Sequence, residues 1–296
     1  MDRLTITAMR SRMYAASTLT PVRSDGDLGG YTDSVDSFVV DGLTEYALVA
    51  TPDVTAPTGG WPVIILEHGY SDPATYVTDD SYYSPFIAAF ARAGYLVVQP
   101  DDRGYGHSQG VPEGGHFSPV YAYDLLTLIA TLRADPAVNA GRIGLFAHSM
   151  GGHEALRALV VTTHVRAAVF MAGVVGSFDD IFYNWPNSPV TTDVPAVVQQ
   201  IRLAEIAAHG TPRTDPVFWD SCSAVDDVSS VTAAVQVNQD LGDAVVPAVF
   251  AQHLVAALQA AHKQVQYITY PSNDHEFLRN RAAVLANALA FYRAQL

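Results

Sequence analysis

The sequence predicts an α/β fold: a mostly parallel, doubly wound sheet entered through an antiparallel hairpin and interrupted late by a small helical insertion. Three observations predict it. Short apolar runs of strand type, among them Pro62–Glu67, Tyr95–Gln99 and Ala167–Ala172, alternate with stretches of helical period, the pattern of strands buried on both faces of a parallel sheet. Ahead of them, Asp41-Gly42 separates two strand-like runs, a strong hairpin signal. From about 176 to 222 the alternation stops, for far longer than an ordinary connection. The 296 residues, 49% of them hydrophobic, suffice for one domain with a large core.

In order, residues 1–33 lack a clear period and read as an N-terminal arm, ahead of a domain spanning 34–296. Ser37–Val40 and Leu43–Ala50 form the hairpin, expected at the antiparallel edge of the sheet. After a Pro/Gly/Thr-rich loop comes the strand Pro62–Glu67, ending in His68-Gly69-Tyr70. A helix from about Ser84 to Ala93 stops at Gly94, and the strand Tyr95–Gln99 runs into Pro100-Asp101-Asp102-Arg103-Gly104-Tyr105-Gly106-His107-Ser108. Val120, Tyr123, Leu126 and Ile129 keep a helical spacing within a helix from Pro119 to about Arg133. A strand, turn and helix follow over Arg142–Leu156, then the strand Ala167–Ala172.

The insertion carries Pro186, Pro189, Pro195, Pro212 and Pro216, a helical piece from Val194 to His209, and many aromatics. It reads as a lid or pocket wall, with Phe178, Phe182, Tyr183, Trp185 and Trp219 as candidate substrate contacts. The sheet resumes with Thr232–Val237, a loop from Asn238 to Pro247, a helix to about Ala261, the strand Gln264–Tyr270, a loop through Glu276, and a helix from about Phe277 to Ala294.

The chemistry centres on Ala147-His148-Ser149-Met150-Gly151. A serine on a tight strand-to-helix turn needs small residues two positions away on each side, because bulkier ones collide across the turn. That turn aims the Met150 N–H at whatever the serine attacks. A serine needs a base, and the base needs an acid to orient it. In strand–helix order, an acid and then a histidine are expected in later loops at the carboxyl ends of strands. His275 fills the second place; Asp243 and Asp240 compete for the first, and Asp274 is a weaker candidate. The loop turning into a helix at Val245-Val246-Pro247 favours Asp243. Gly69 permits close approach of the loop after the first buried strand, so Tyr70 N–H is the expected second oxyanion donor and its ring a candidate cleft wall. His148 and His153 are expected to pack around the site, with His148 also at the substrate cleft. The histidines show no metal-ligand spacing, so no metal and no cofactor are expected. Gly104-Tyr105-Gly106 lacks the third glycine of a nucleotide loop.

A net charge of −14 with only 16 Lys and Arg disfavours nucleic acid and anionic membranes as partners. Cys222 is the lone cysteine, which excludes an internal disulfide. No stretch reaches the apolar length of a membrane span, and the first ten residues lack a signal-peptide core. A cytoplasmic location is therefore expected, a removed leader being equally compatible.

His68-Gly69-Tyr70, Asp102 to Ser108, Ile143 to Gly152, Asp243 to Pro247 and Asp274-His275 together resemble the α/β-hydrolase superfamily. They are most similar to its branch around dienelactone hydrolases and the catalytic domain of prolyl oligopeptidases. The resemblance implies Ser149 as nucleophile, His275 as base and acid, Asp243 as its partner, and Tyr70 and Met150 as oxyanion donors. The chain departs from the pattern in two places: Ala147 replaces the first elbow glycine, and Gln239-Asp240 stands where His-Gly is usual. Serine in place of cysteine argues against dienelactone hydrolase activity, and the chain leaves no room for a propeller ahead of the domain. A carboxylic ester hydrolase acting on a small molecule through an acyl-enzyme is the expectation. A serine peptidase or amidase, a polyester hydrolase of cutinase type, and an inactive ligand-binding protein of the same fold are the alternatives.

Overall fold

Residues 1–33 are more ordered than their composition predicts. In the structure, a computed structural model describing residues 2–78, 82–186 and 195–296, they hold helix α1 (Ile6–Ser11) and strand β1 (Thr20–Asp27). Thr5 caps α1 through its side chain, and Leu4, Ile6 and Met9 are buried. The reading of a separate arm is corrected here: β1 pairs with the next strand and belongs to the sheet. It hides from pattern reading because nearly every residue of this edge strand is exposed, leaving no alternation to detect.

The hairpin is β2 (Tyr31–Val40) and β3 (Leu43–Pro52), turning at Asp41 and Gly42, both with positive φ. It was expected at the sheet edge; β1 takes that place instead. Then follow β4 (Trp61–Glu67), α2 (Ser84–Arg92), β5 (Leu96–Pro100), α3 (Val120–Ala134), β6 (Val138–His148), α4 (Gly151–Val161) and β7 (Ala167–Met171). The insertion contributes α5 (Phe178–Tyr183), α6 (Ala196–His209) and α7 (Pro216–Cys222), followed by a 3-10 turn over Ala224–Ser230. Pro189 and the expected helix start at Val194 lie outside the described residues. The chain closes with β8 (Ala234–Asp240), α8 (Ala248–Ala260), β9 (Val265–Tyr270) and α9 (Arg281–Gln295).

The described strands form one sheet in the order β1-β2-β3-β5-β4-β6-β7-β8-β9. Pairing is antiparallel from β1 to β3 and between β3 and β5, and parallel across the rest. Strand alternation divides the core between the two faces. Val63 and Ile65 of β4 and Ile143 and Leu145 of β6 join α3, α4 and α8 on one side. Ile64, Leu66 and Phe146 meet Phe86 and Phe90 of α2 and Tyr292 of α9 on the other. Each such side chain contributes about 1.5–3 kcal/mol of burial.

Two boundaries differ from expectation for a physical reason. β8 runs on to Asp240 because Gln236, Asn238 and Gln239 are buried polar residues whose amides bond to Gln266, to Gln236 and to the Asp240 carbonyl. A polar strand end looks like a loop in sequence. α9 starts at Arg281, because Phe277 is fully buried with φ at 51° and turns the chain first.

Register brings the functional loops to one edge. Glu67 of β4 pairs with Ala147 of β6, His148 with Met171 of β7, and Asp240 of β8 with Tyr270 of β9. The segments after β4, β6, β8 and β9 therefore emerge side by side at the carboxyl ends of parallel strands, where open α/β sheets hold their sites.

Candidate active site

Ser149 sits between β6 and α4 with φ at 50°, left-handed backbone that costs a non-glycine residue about 1–3 kcal/mol. Hydrogen bonds hold it there. Its N–H donates to Met171 O at 3.1 Å, and its carbonyl accepts from Gly152 N–H at 3.0 Å and Val174 N–H at 2.8 Å. The small residue at 151 is required by contact: a Cβ there would stand 2.7 Å from Glu67 Cβ and from the Glu67 carbonyl oxygen. At the other small position, Ala147 is fully packed.

His275 Nε2 lies 2.9 Å from Ser149 Oγ, and His275 Nδ1 lies 2.8 Å from Asp243 Oδ2. The Asp243 side chain is fully buried, and its Oδ1 accepts from Val245 N–H at 2.8 Å and Val246 N–H at 3.0 Å. The loop turning toward α8 thus aims this carboxylate. Asp240 is occupied elsewhere: it accepts from Gly242 N–H and from the Ser272 hydroxyl, tying the β8 and β9 loops together. Asp274 accepts from Arg279 N–H at 2.9 Å. Three of the expected residues converge, and the two competing acids stand aside.

The loop after β4 is bound to the elbow by Gly151 N–H donating to His68 O at 3.1 Å. Neither the Tyr70 nor the Met150 N–H is spent on a described hydrogen bond. A chain of buried contacts fixes this loop. Gly69 N–H donates to Tyr83 Oη at 2.7 Å, the Tyr83 hydroxyl lies 2.7 Å from His148 Nδ1, and His148 Nε2 lies 3.4 Å from His275 O. Burial, with His275 adding to it, lowers the His148 pKa to about 3. The ring is therefore neutral, and the network assigns its proton to Nε2, with Nδ1 accepting from Tyr83. A Cβ on residue 69 would come within 3.1 Å of both His148 Nδ1 and Ser149 Cβ, so any larger residue would press His148 and the elbow back by a few tenths of an ångström.

Ser149 opens onto a cleft of about 430 Å³ walled by Tyr70, Tyr82, Tyr83, Val245 and Glu276. Tyr70, His148 and Ser149 reach it as expected. The insertion aromatics do not. Phe178 and Trp219 are buried with ring centroids 4.8 Å apart, and Phe182 packs on Trp219 at 5.2 Å. Tyr183 lies under the Arg213 guanidinium, and Trp185 donates at 2.6 Å to the carbonyl of Val245, a residue of the cleft wall. None of these five side chains lines this cleft; each packs instead against a neighbouring ring, guanidinium or carbonyl. Sequence reading missed Tyr82, Tyr83 and Glu276. The only local signal was two tyrosines ahead of the Ser84-Pro85 helix start, and their partners lie 14 to 194 residues away.

Beneath the elbow lie three buried carboxyls: Glu67 at the end of β4, Asp102 after β5, and Glu154 in the first turn of α4, their oxygens within 4.8 Å of one another. Burial raises all three, Asp102 to about 8 and Glu67 and Glu154 well above the usual range, with Asp102 repelling the other two. As carboxylates, Glu67 Oε1 and both Glu154 oxygens have no donor; a proton on Glu154 supplies one to Glu67. Because the folded pKa values exceed the unfolded ones near 4, the folded state holds extra protons. The stability from these groups is full below pH 4 and is lost as pH rises toward 8. Urea midpoints are expected to fall between pH 5 and 8, and Glu154→Gln is expected to flatten that fall. Parallel profiles for the two proteins would remove this cluster as the cause.

The family model described as serine aminopeptidase, S33, matches residues 62–273, more than half of the chain. An epoxide hydrolase of Caballeronia sordidicola is 28% identical over 142 residues, covering 47% of this chain and 39% of that protein. The alignments span between 28% and 39% of the length of the curated relatives the chain matches. Among solved structures, acetyl xylan esterase 1 from Thermoanaerobacterium sp. superposes with a TM-score of 0.70 at 18% identity, covering 97% of this chain and 91% of that one. Dipeptidyl peptidase 4 of Porphyromonas gingivalis gives 0.65 at 18% identity, covering 98% of this chain and 37% of that one. Among the described residues no helix is long and apolar enough to cross a membrane.

Proposed function

The chain belongs to the serine hydrolase family described as serine aminopeptidase, S33, with the α/β-hydrolase fold, and from that premise we propose that it is a carboxylic ester hydrolase working through an acyl-enzyme. The observation that carries this reading is the unbroken row of contacts from Ser149 Oγ through His275 to Asp243, at 2.9 and 2.8 Å. Ser149 Oγ attacks the ester carbonyl carbon as its proton passes to His275 Nε2. Asp243 holds the ring with its Nδ1–H toward the acid and stabilises the imidazolium. The oxyanion takes hydrogen bonds from the Tyr70 and Met150 N–H groups, which removal of one donor would weaken by about 3–4 kcal/mol. The carbon–oxygen bond breaks, and the alcohol leaves with the proton from His275. Water then attacks the acyl-enzyme by the same route, regenerating Ser149. In this reading the whole chain is one catalytic domain with a helical insertion at 176–222.

Support for an ester over an amide comes from the acetyl xylan esterase, which the chain matches over 91% of its length. The family description favours a second reading, a serine peptidase. Hydrolysis of one acyl group presented as a p-nitrophenyl ester and as a p-nitroanilide, alongside fluorophosphonate labelling, separates them. Labelling with ester turnover far above anilide turnover is expected. Comparable turnover of the anilide would favour the peptidase, and an unlabelled protein would end both readings.

A further inference from the structure

Two imidazoles and a carboxylate meet at the mouth of the cleft: His148, His275 and Glu276 each place a ligand atom within 4.8 Å of the others. We propose that they form a binding site for a borderline divalent transition-metal ion, Zn2+ being the probe, whose occupancy takes His275 Nε2 away from Ser149. The inhibitory consequence rests on the reading of His275 as the base; the binding itself does not.

The geometry needs only small adjustments. His148 Nε2 lies 3.9 Å from Glu276 Oε2, and the two imidazole rings stand with centroids 5.1 Å apart at 37°. A metal bound at about 2.0–2.2 Å from nitrogen and oxygen requires the three ligand atoms to draw closer, the two rings by turning and the carboxylate by swinging in. The most exposed of the three is Glu276, at 47%, whose side chain also bonds Tyr82 and, among the described residues, makes no Arg or Lys ion pair. Its carboxylate is therefore the arm that closes on the ion. A donor set of two imidazoles and one carboxylate suits zinc, copper or nickel, whereas magnesium and calcium favour oxygen alone. The fourth position faces the cleft.

Protons balance without a net release. A neutral imidazole carries one proton and one lone pair on its two nitrogens, so His148 can present a lone pair by moving its proton. When the metal takes Nε2, the ring proton moves to Nδ1 and donates to the Tyr83 hydroxyl, 2.7 Å away. His275 keeps its Nδ1–H on Asp243 and gives its Nε2 lone pair to the metal in place of the Ser149 hydroxyl proton. Asp243 then orients a ligand as it would a base, the outer partner that metal-bound histidines use. The two histidines are 127 residues apart in the chain, which is why ligand spacing in the sequence predicts no metal.

Equilibrium dialysis against Zn2+ with elemental analysis, on metal-stripped wild type, Ser149→Ala and Glu276→Gln, tests the site. Loss of an outer partner already weakens a metal by about 10–100-fold, so loss of a ligand in Glu276→Gln is expected to weaken binding by at least about tenfold. Ser149→Ala should bind as wild type does. In parallel, Zn2+ should slow fluorophosphonate labelling of wild type, EDTA should restore it, and Mg2+ at equal concentration should not slow it. Equal zinc affinity in wild type and Glu276→Gln would place the ion elsewhere, for instance at Asp2, Glu205 and His209, and would overturn the proposal. So would binding that leaves labelling unslowed. If metal-free wild type is never labelled, the hydrolase reading fails, while dialysis still decides the metal site.

Discussion

Ser149→Ala is expected to lower kcat for a p-nitrophenyl ester by about a million-fold, and His275→Ala by a similar factor, with the double variant no worse than either. The non-additivity is the informative part. In the proposed mechanism the serine hydroxyl is a nucleophile only while His275 accepts its proton across 2.9 Å, so removing either partner would remove the same step. What would remain is the proposed stabilisation from the Tyr70 and Met150 N–H groups, worth about a thousandfold or more over water. Steady-state kinetics on the two single variants and the double variant measure this. Additive losses would mean that Ser149 and His275 act in separate steps. Alanine removes only the hydroxyl and keeps the backbone bonds from Gly152 and Val174 to the residue 149 carbonyl. Urea midpoints should therefore stay close to wild type, which separates lost chemistry from lost folding.

Asp243→Asn is expected to cost about ten thousand-fold in kcat, because an amide facing Nδ1 no longer demands a proton there and the ring settles into the wrong tautomer. Asp240→Asn should behave oppositely. Its carboxylate binds Gly242 N–H and the Ser272 hydroxyl, so the loss is one of charge-assisted hydrogen bonds, about 1.5–3 kcal/mol of stability at most, with kcat reduced far less. Comparing kcat with urea midpoint for the two variants decides between them. Rate loss in Asp240→Asn with only a stability loss in Asp243→Asn would exchange their roles.

These two aspartates mark how far local sequence reaches. They are three residues apart, Asp240 at the end of β8 and Asp243 in the loop after it, and both are followed by residues that suit a turn. Only the turn at Val245 and Val246, whose N–H groups grip Asp243 Oδ1, and the arrival of Ser272 from the neighbouring loop separate their orientations. The elbow was legible because its constraint is local: Ser149 needs small neighbours at 147 and 151 whatever the rest of the chain does. The core strands were legible because β4, β5 and β7 are buried on both faces and read as continuous apolar runs. β1 was not, since an edge strand needs only backbone pairing and imposes no pattern on side chains. The end of β8 was not, since its buried amides find partners inside the fold and mimic a loop in sequence.

The insertion aromatics show the same limit from the other direction. Hydrophobicity marks Phe178, Phe182 and Trp219 for burial, and it does so correctly, but it carries no information on which surface they bury against. They pack against one another, and the walls of the described cleft include Tyr82, Tyr83 and Glu276 from loops far apart in the chain. By itself, the sequence determined the strand–helix alternation, the elbow and the chain order of the serine, the acid and the histidine, because each follows from short-range sterics or from a period along the chain. The tertiary structure alone decided which acid faces His275, what lines the cleft, and that Tyr83 and His148 tie the loop after β4 to the loop after β9. Those depend on strand register, which brings together side chains that no local interaction relates.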